Sequence, residues 1–278
     1  MFNFMTWHPD KTLSKYVKRI CFYEGSFSEV SRYRQPVLPY VTPTLEFLYG
    51  DRFHTVHVAD GKLNPVMEAG FLGPITRYQI DLDFVGDIKN MAVEFWPHSF
   101  TALFGIPMNE LADQAVPTQD ILGAASNELV YAIRQAQTNA QRKDQLEQFL
   151  CKQIEKSAAH NDLQLSQALH AMHQGEVRVE QVAKKLGISE RYLEKKFQLV
   201  IGVTPKRYMQ ILRFNRAIVL LKKKCGMMDM VVELGYHDQS HMIHEFKQFA
   251  GYAPSHYKNN LEFESYFLGS QQLPPFFQ

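Results

Sequence analysis

The feature that most constrains this chain is a residue spacing that occurs twice in its C-terminal part. Gly187, Leu193, Phe197, Gly202, Pro205 and Tyr208 are followed, about fifty residues on, by Gly235, Met242, Phe246, Gly251, Pro254 and Tyr257. From the phenylalanine onward the intervals are identical. The stretch between the first glycine and the phenylalanine is one residue longer in the second copy, where a turn absorbs an insertion. Such self-similarity marks a repeated supersecondary unit rather than one long irregular domain.

The first copy opens with Val179, Val182, Ala183 and Leu186 at helical spacing, and Gly187 supplies the backbone freedom to end that helix. Ser189 is placed to cap the next helix. Its apolar stripe is Leu193, Phe197 and Val200, while Arg191, Glu194 and Lys195 fall on another face. A helix, a tight glycine turn and a second amphipathic helix are the parts of a helix-turn-helix, whose second helix enters the DNA major groove. The second copy repeats this with Met230, Val231 and Leu234 before Gly235, then Met242, Ile243, Phe246 and Phe249 as the stripe. Ser240, His241, His244 and Lys247 face outward. Between the copies, Thr204 at an N-cap and Pro205 at the first helical position open a long helix through Ile211, Leu212 and Leu220, ending near Gly226. Two readers so joined suit successive major grooves on one face of DNA.

Charge agrees with this division. Residues 1–159 hold 15 Lys and Arg against 18 Asp and Glu, whereas residues 160–258 hold 15 against 9. A positive excess confined to one segment is the footprint of a nucleic-acid-binding module attached to a neutral or acidic partner domain.

The runs VEQVAKKLGISERYLEKKF, TPKRYMQILRFNRAIVLL and VVELGYHDQSHMIHEFKQFAGYAPSHYK resemble the AraC/XylS-type DNA-binding domain over roughly residues 160–259. The resemblance implies a bacterial transcription regulator. It carries base reading onto Arg191, Glu194 and Lys195 in the first unit and onto Gln239, Ser240, His241 and His244 in the second, which are the outward faces already derived. Arg191 and Lys195 suit guanine O6 and N7, and Glu194 suits cytosine N4. Lys196, Lys206, Arg207 and Lys247 are candidate phosphate contacts, Arg213 and Arg216 read as structural or backbone-facing, and the Lys222 to Lys224 run reads as a solvated helix end. Val231 and Met242 depart from the family pattern, which predicts a looser or repacked core and a weaker reader in the second unit.

Residues 1 to about 123 read as strand-rich, with apolar or alternating runs at Thr44 to Tyr49, Phe53 to Val58 and Met91 to Phe95 between Pro, Gly and Asp turns. A helical turn follows Pro97 at Phe100 to Phe104. From residue 20 or so onward this part resembles the barrel-type sensor domain of some AraC-type regulators, which implies a cupin-like antiparallel β-barrel. Tyr40, Glu46, Phe47 and Trp96 are the candidate effector-pocket residues; Glu46 alone in TLEFLYG fits either a pocket or an exposed strand side. Residues 126–157 read as two helices, the second with Leu146, Phe149, Leu150 and Ile154 on one stripe. They pack either on the barrel or, as the family implies, in a homodimer.

No signal for catalysis or metal binding emerges. His54 and His57 lie an odd number of residues apart, which sends them to opposite faces of one strand. Cys21, Cys151 and Cys225 are too far apart for a zinc or disulfide spacing. No nucleophile elbow or phosphate loop appears, and no run reaches the roughly 18 apolar residues of a membrane span. The expectation is an α+β chain. Residues 1–159 form a sensor and oligomerisation domain, 160–259 an all-α domain of two helix-turn-helix units joined by a long helix, and 260–278 an aromatic tail. It is expected to be cytoplasmic, without cofactor or enzymatic activity. Its expected partners are double-stranded promoter DNA, a small-molecule effector and RNA polymerase. Two rivals stand beside it: a catalytic barrel fused to a DNA-binding domain, and a constitutive DNA-binding protein whose barrel only mediates dimerisation.

Overall fold

The computed structural model describes residues 3–157, 162–174 and 178–257. Its N-terminal part holds strands β1 (Asn3–Trp7), β2 (Val17–Phe27), β3 (Tyr33–Pro36), β4 (Thr44–Leu48), β5 (His54–His57), β6 (Leu63–Pro65), β7 (Ala69–Leu72), β8 (Ile80–Phe84), β9 (Gly86–Phe95) and β10 (Ala115–Pro117). All pair antiparallel, in a six-stranded sheet of order β1-β2-β9-β4-β7-β10 and a four-stranded sheet of order β3-β8-β5-β6. The expected cupin-like antiparallel domain is therefore present, but as two sheets and not as one closed barrel.

The larger sheet is a middle layer. Alternation along its strands sends Ile20, Phe22, Leu45, Phe47, Met91, Val93 and Phe95 into one core, and Cys21, Tyr23, Leu48, Ile88 and Ala92 into another on the opposite face. Because both faces are covered, the middle of each long strand is an unbroken apolar run, residues 20–23 in β2 and 91–93 in β9. The first core is closed by helices α1 (Ser99–Phe104), α2 (Thr118–Leu122), α3 (Ala125–Gln135) and α4 (Asn139–Lys156). Residues 126–157 pack within the chain: Leu129 and Ile133 of α3 and Leu146 and Leu150 of α4 are buried against the sheet. Thr138 and Gln141 form a capping box that sets where α4 begins.

The C-terminal part is all helical: α5 (Leu163–Gln174), α6 (Val179–Lys185), α7 (Glu190–Ile201), α8 (Pro205–Lys222), α9 (Met227–Glu233), α10 (Gln239–Ala250) and α11 (Pro254–Tyr257). α8 stops at Lys222 rather than near Gly226, since Lys224 turns into the left-handed region at φ 58°. Val231 and Met242 are both buried in the common core. No helix among the described residues is long and apolar enough to cross a membrane. The aromatic tail, with Phe263, Tyr266, Phe267, Phe276 and Phe277, and most of the expected boundary between Ser157 and Asp162 lie outside the described residues.

Candidate nucleic-acid interface and ligand cavity

Each reading helix is started by a side chain and anchored by its stripe. Ser189 Oγ accepts from Tyr192 N at the start of α7, and Asp238 Oδ1 accepts from His241 N at 2.8 Å at the start of α10. Leu193, Phe197 and Ile201 fix α7 in the core, and Met242, Phe246 and Phe249 fix α10. Arg191, Glu194 and Lys195 are all exposed on α7, as are Gln239, Ser240, His241 and His244 on α10. The second set is partly held: the His241 ring meets the Tyr236 ring edge-on at 5.3 Å, and Gln248 Nε2 lies 2.9 Å from His244 Nε2.

One acid on α10 escaped the sequence reading. Glu245 belongs to the buried side, where Arg213 of α8 donates to it twice, at 2.9 and 2.5 Å, and the Tyr236 hydroxyl donates at 2.7 Å. Arg213 also lies over the Tyr236 ring. This bonds the long helix to the second reader.

The four candidate phosphate contacts divide. Lys206 and Lys247 are exposed. Lys196 instead pairs with Asp162 at 2.6 Å, and that partner holds its ammonium above the usual lysine range despite burial. Arg207 is turned away from solvent: its Nη2 donates to Thr76 O in the N-terminal domain at 2.5 Å, and its guanidinium stacks 4.3 Å from the Phe249 ring centre. Both side chains already have partners.

Between the two sheets lies a cavity of about 100 Å³. Its wall is largely apolar, including Leu38, Leu48, Phe53, Val66, Leu72 and Leu82, with Tyr23, Glu46 and Asn90 forming a hydrogen-bonded polar end and Gln35 and Thr55 also in the lining. Of the expected pocket residues, Tyr40 and Glu46 line it. Phe47 and Trp96 do not: on β4 the period of two that points Glu46 and Leu48 at the cavity points Phe47 at the helices, and Trp96 donates its indole N–H to Ser14 O at 2.8 Å. The Tyr23 hydroxyl donates to Glu46 Oε2 at 2.6 Å, and Asn90 Nδ2 donates to both. Burial pushes the Glu46 carboxyl up to about 7, against the two hydrogen bonds that hold it down. Tyr23 and Asn90 carried no sequence signal as site residues. They reach Glu46 because β9 lies between β2 and β4.

Two wall segments of the cavity also touch the helical domain. Leu38 lines the cavity and, with Val41, is buried in the core formed by α5 to α10. Leu72 and Ile80 line it too, and the loop between them holds Thr76, the acceptor for Arg207. In the same loop Pro74 approaches Gly202, the C-cap of α7, and Tyr78 approaches Gly251, the C-cap of α10, with its ring 6.0 Å from that of Tyr252.

A family model described as a helix-turn-helix domain matches residues 182–260, and one described as a domain of unknown function matches residues 5–117. The Msm operon regulatory protein of Streptococcus mutans is 26% identical over 121 residues, 42% of this chain and 44% of that protein. An uncharacterized HTH-type transcriptional regulator of Haemophilus influenzae is 27% identical over 169 residues, 59% of this chain and 52% of that protein. The chain thus spans about half the length of these two relatives. ToxT from Vibrio cholerae is similar in structure, with 16% identity and a TM-score of 0.46 over 93% of this chain and 99% of that one.

Proposed function

From an AraC/XylS-type double helix-turn-helix domain joined to an antiparallel β domain as the premise, we propose that the protein is a sequence-specific DNA-binding transcription regulator controlled by a small molecule in the N-terminal cavity. The observation that carries the DNA-binding part is the pair α7 and α10. Each buries one face in a common core and exposes a polar face at the positions that face DNA in a helix-turn-helix.

In this reading Arg191, Glu194 and Lys195 read bases from the first unit, and Gln239, Ser240, His241 and His244 from the second. Lys206 and Lys247 hold phosphates. Lys196 orients α7 through Asp162, and Arg207 joins the two domains. The first unit supplies more discrimination, because its face carries three charged groups able to make charge-assisted contacts, each good bidentate pair being worth about 1–3 kcal/mol. Control by a ligand follows from the walls that the cavity shares with the helical domain. A molecule that shifts Leu38 or the Leu72 to Ile80 loop acts on both reading helices at their C-caps.

Affinity for a bound site and its single-base variants, measured for the protein and for Lys195→Ala, tests the assignment. The expected loss is concentrated at one base position, where the variant no longer discriminates. A loss spread evenly over all sequences makes Lys195 a phosphate contact instead.

A further inference from the structure

The polar end of the cavity centres on the carboxyl group of Glu46. Both hydrogen bonds that reach Glu46 fall on Oε2, which leaves Oε1 without one among the described residues. Glu46 also keeps part of its surface open although it sits deep between the sheets, as a cavity-lining group does. Gln35 is 3% exposed, lines the same cavity, and its Oε1 is buried with no hydrogen-bond partner. A donor placed in the cavity matches the open Glu46 oxygen.

The charge at this end is also unmatched. The cations nearest in sequence to Tyr23, Lys18 and Arg19, are committed to Glu94, at 3.5 and 2.6 Å. No ion pair to Glu46 is formed among the described residues. The titratable groups that act on it are Tyr23 from β2, Glu94 from β9 and Tyr40 from the segment before β4, none of them a cation, and Gly70 of β7 stands opposite it in the sheet. The remaining wall is largely apolar, and the volume, about two thirds of the roughly 150 Å³ of an apolar cavity that takes benzene, admits a short aliphatic chain and not a ring.

We propose that the cavity takes a small primary amine, its ammonium seated on Glu46 and its apolar body between Leu48, Phe53 and Leu82. This rests on reading the cavity as the effector site and names the ligand's class. A carboxylate of the same size is excluded by Glu46 once that group ionises. A neutral apolar molecule leaves the carboxyl oxygen unmatched. The ammonium supplies three donors and the counter-charge that burial makes costly to omit. Because it favours the ionised carboxylate, its binding strengthens as pH rises through the titration of Glu46 near 7.

The test uses the full chain with three probes of one shape, n-propylamine, n-propanol and propionate, followed by calorimetry and thermal shift at pH 6 and pH 8. Propylamine is expected to bind tightest and to raise the melting temperature. Its affinity should rise roughly fivefold to tenfold from pH 6 to pH 8, in step with the ionised fraction of Glu46. Glu46→Gln should lose that pH dependence and at least about tenfold in propylamine affinity, about 1.4 kcal/mol, while keeping propanol binding, which shows that the cavity is intact. The pH arm on the unaltered protein stands alone should the variant not fold. Propionate or propanol binding as tightly as propylamine at pH 8 overturns the amine and leaves the cavity as a binding site. Failure of all three to bind overturns the cavity reading as well.

Discussion

Arg213 and Glu245 illustrate what one buried charge can decide. Glu245 is 5% exposed and takes hydrogen bonds from both the Arg213 guanidinium and Tyr236, so removing Arg213 strands a buried acid without its counter-charge. Arg213→Ala is expected to cost about 3–5 kcal/mol in urea unfolding, the range for breaking a buried pair from one side; a loss below about 1 kcal/mol would make it an ordinary surface bridge. Glu46 gives the second residue-scale prediction. Its folded value, about 7, lies above the ordinary 4.5, so the unfolded chain ionises first and stability falls as pH rises between those values. The drop is on the order of 3 kcal/mol. Glu46→Gln should flatten the stability profile between pH 5 and pH 7.5 relative to the unaltered protein, and an unchanged slope would place the titration elsewhere. Of these groups the sequence marked Arg213 as structural and Glu46 as a lone polar group in an apolar run. It could not show their partners, because Glu245 lies on another helix and Tyr23 and Asn90 arrive through sheet register.

At the scale of elements, the repeat was legible because its residues act locally. Gly202 and Gly251 occupy the same left-handed C-cap, at φ 85° and 75°, and Pro205 and Pro254 open the helix that follows each. Ser189 and Thr204 cap the helices at the positions where their side chains predicted them. The neighbours of those glycines were not legible. A Cβ on Gly202 would stand 2.7 Å from both Met108 O and Pro74 Cγ, whereas one on Gly187 would meet nothing within 4 Å. Both substitutions to Ala incur the left-handed strain of roughly 1–2 kcal/mol. Gly202→Ala is expected to be the more destabilising, and it alone should increase proteolysis between the domains. Equal effects would mean that the N-terminal loop does not rest on α7. The sheets were less legible for a related reason: strand runs such as Thr44 to Tyr49 are local, while the separation into two sheets depends on pairings such as β3 with β8, far apart in the chain.

For the whole molecule, the cavity and the readers share walls, and Arg207 is a polar link between the domains. Its guanidinium holds Thr76 O of the N-terminal loop and packs on Phe249. Lys206→Ala should therefore weaken DNA binding for all sequences and lower the salt slope by about one, as loss of a phosphate contact does. Arg207→Ala should leave the slope unchanged and reduce the effect of a cavity ligand on DNA affinity. A slope reduced equally by both variants would return Arg207 to the phosphate contacts. The central claim, that two unequal readers on α7 and α10 recognise a defined DNA sequence, is tested most directly by footprinting the purified protein on genomic DNA at moderate salt, where non-specific binding fades. The account predicts discrete sites with two protected segments about one helical turn apart, the stronger base preference lying under the first unit. Uniform protection with no preferred sequence would contradict it.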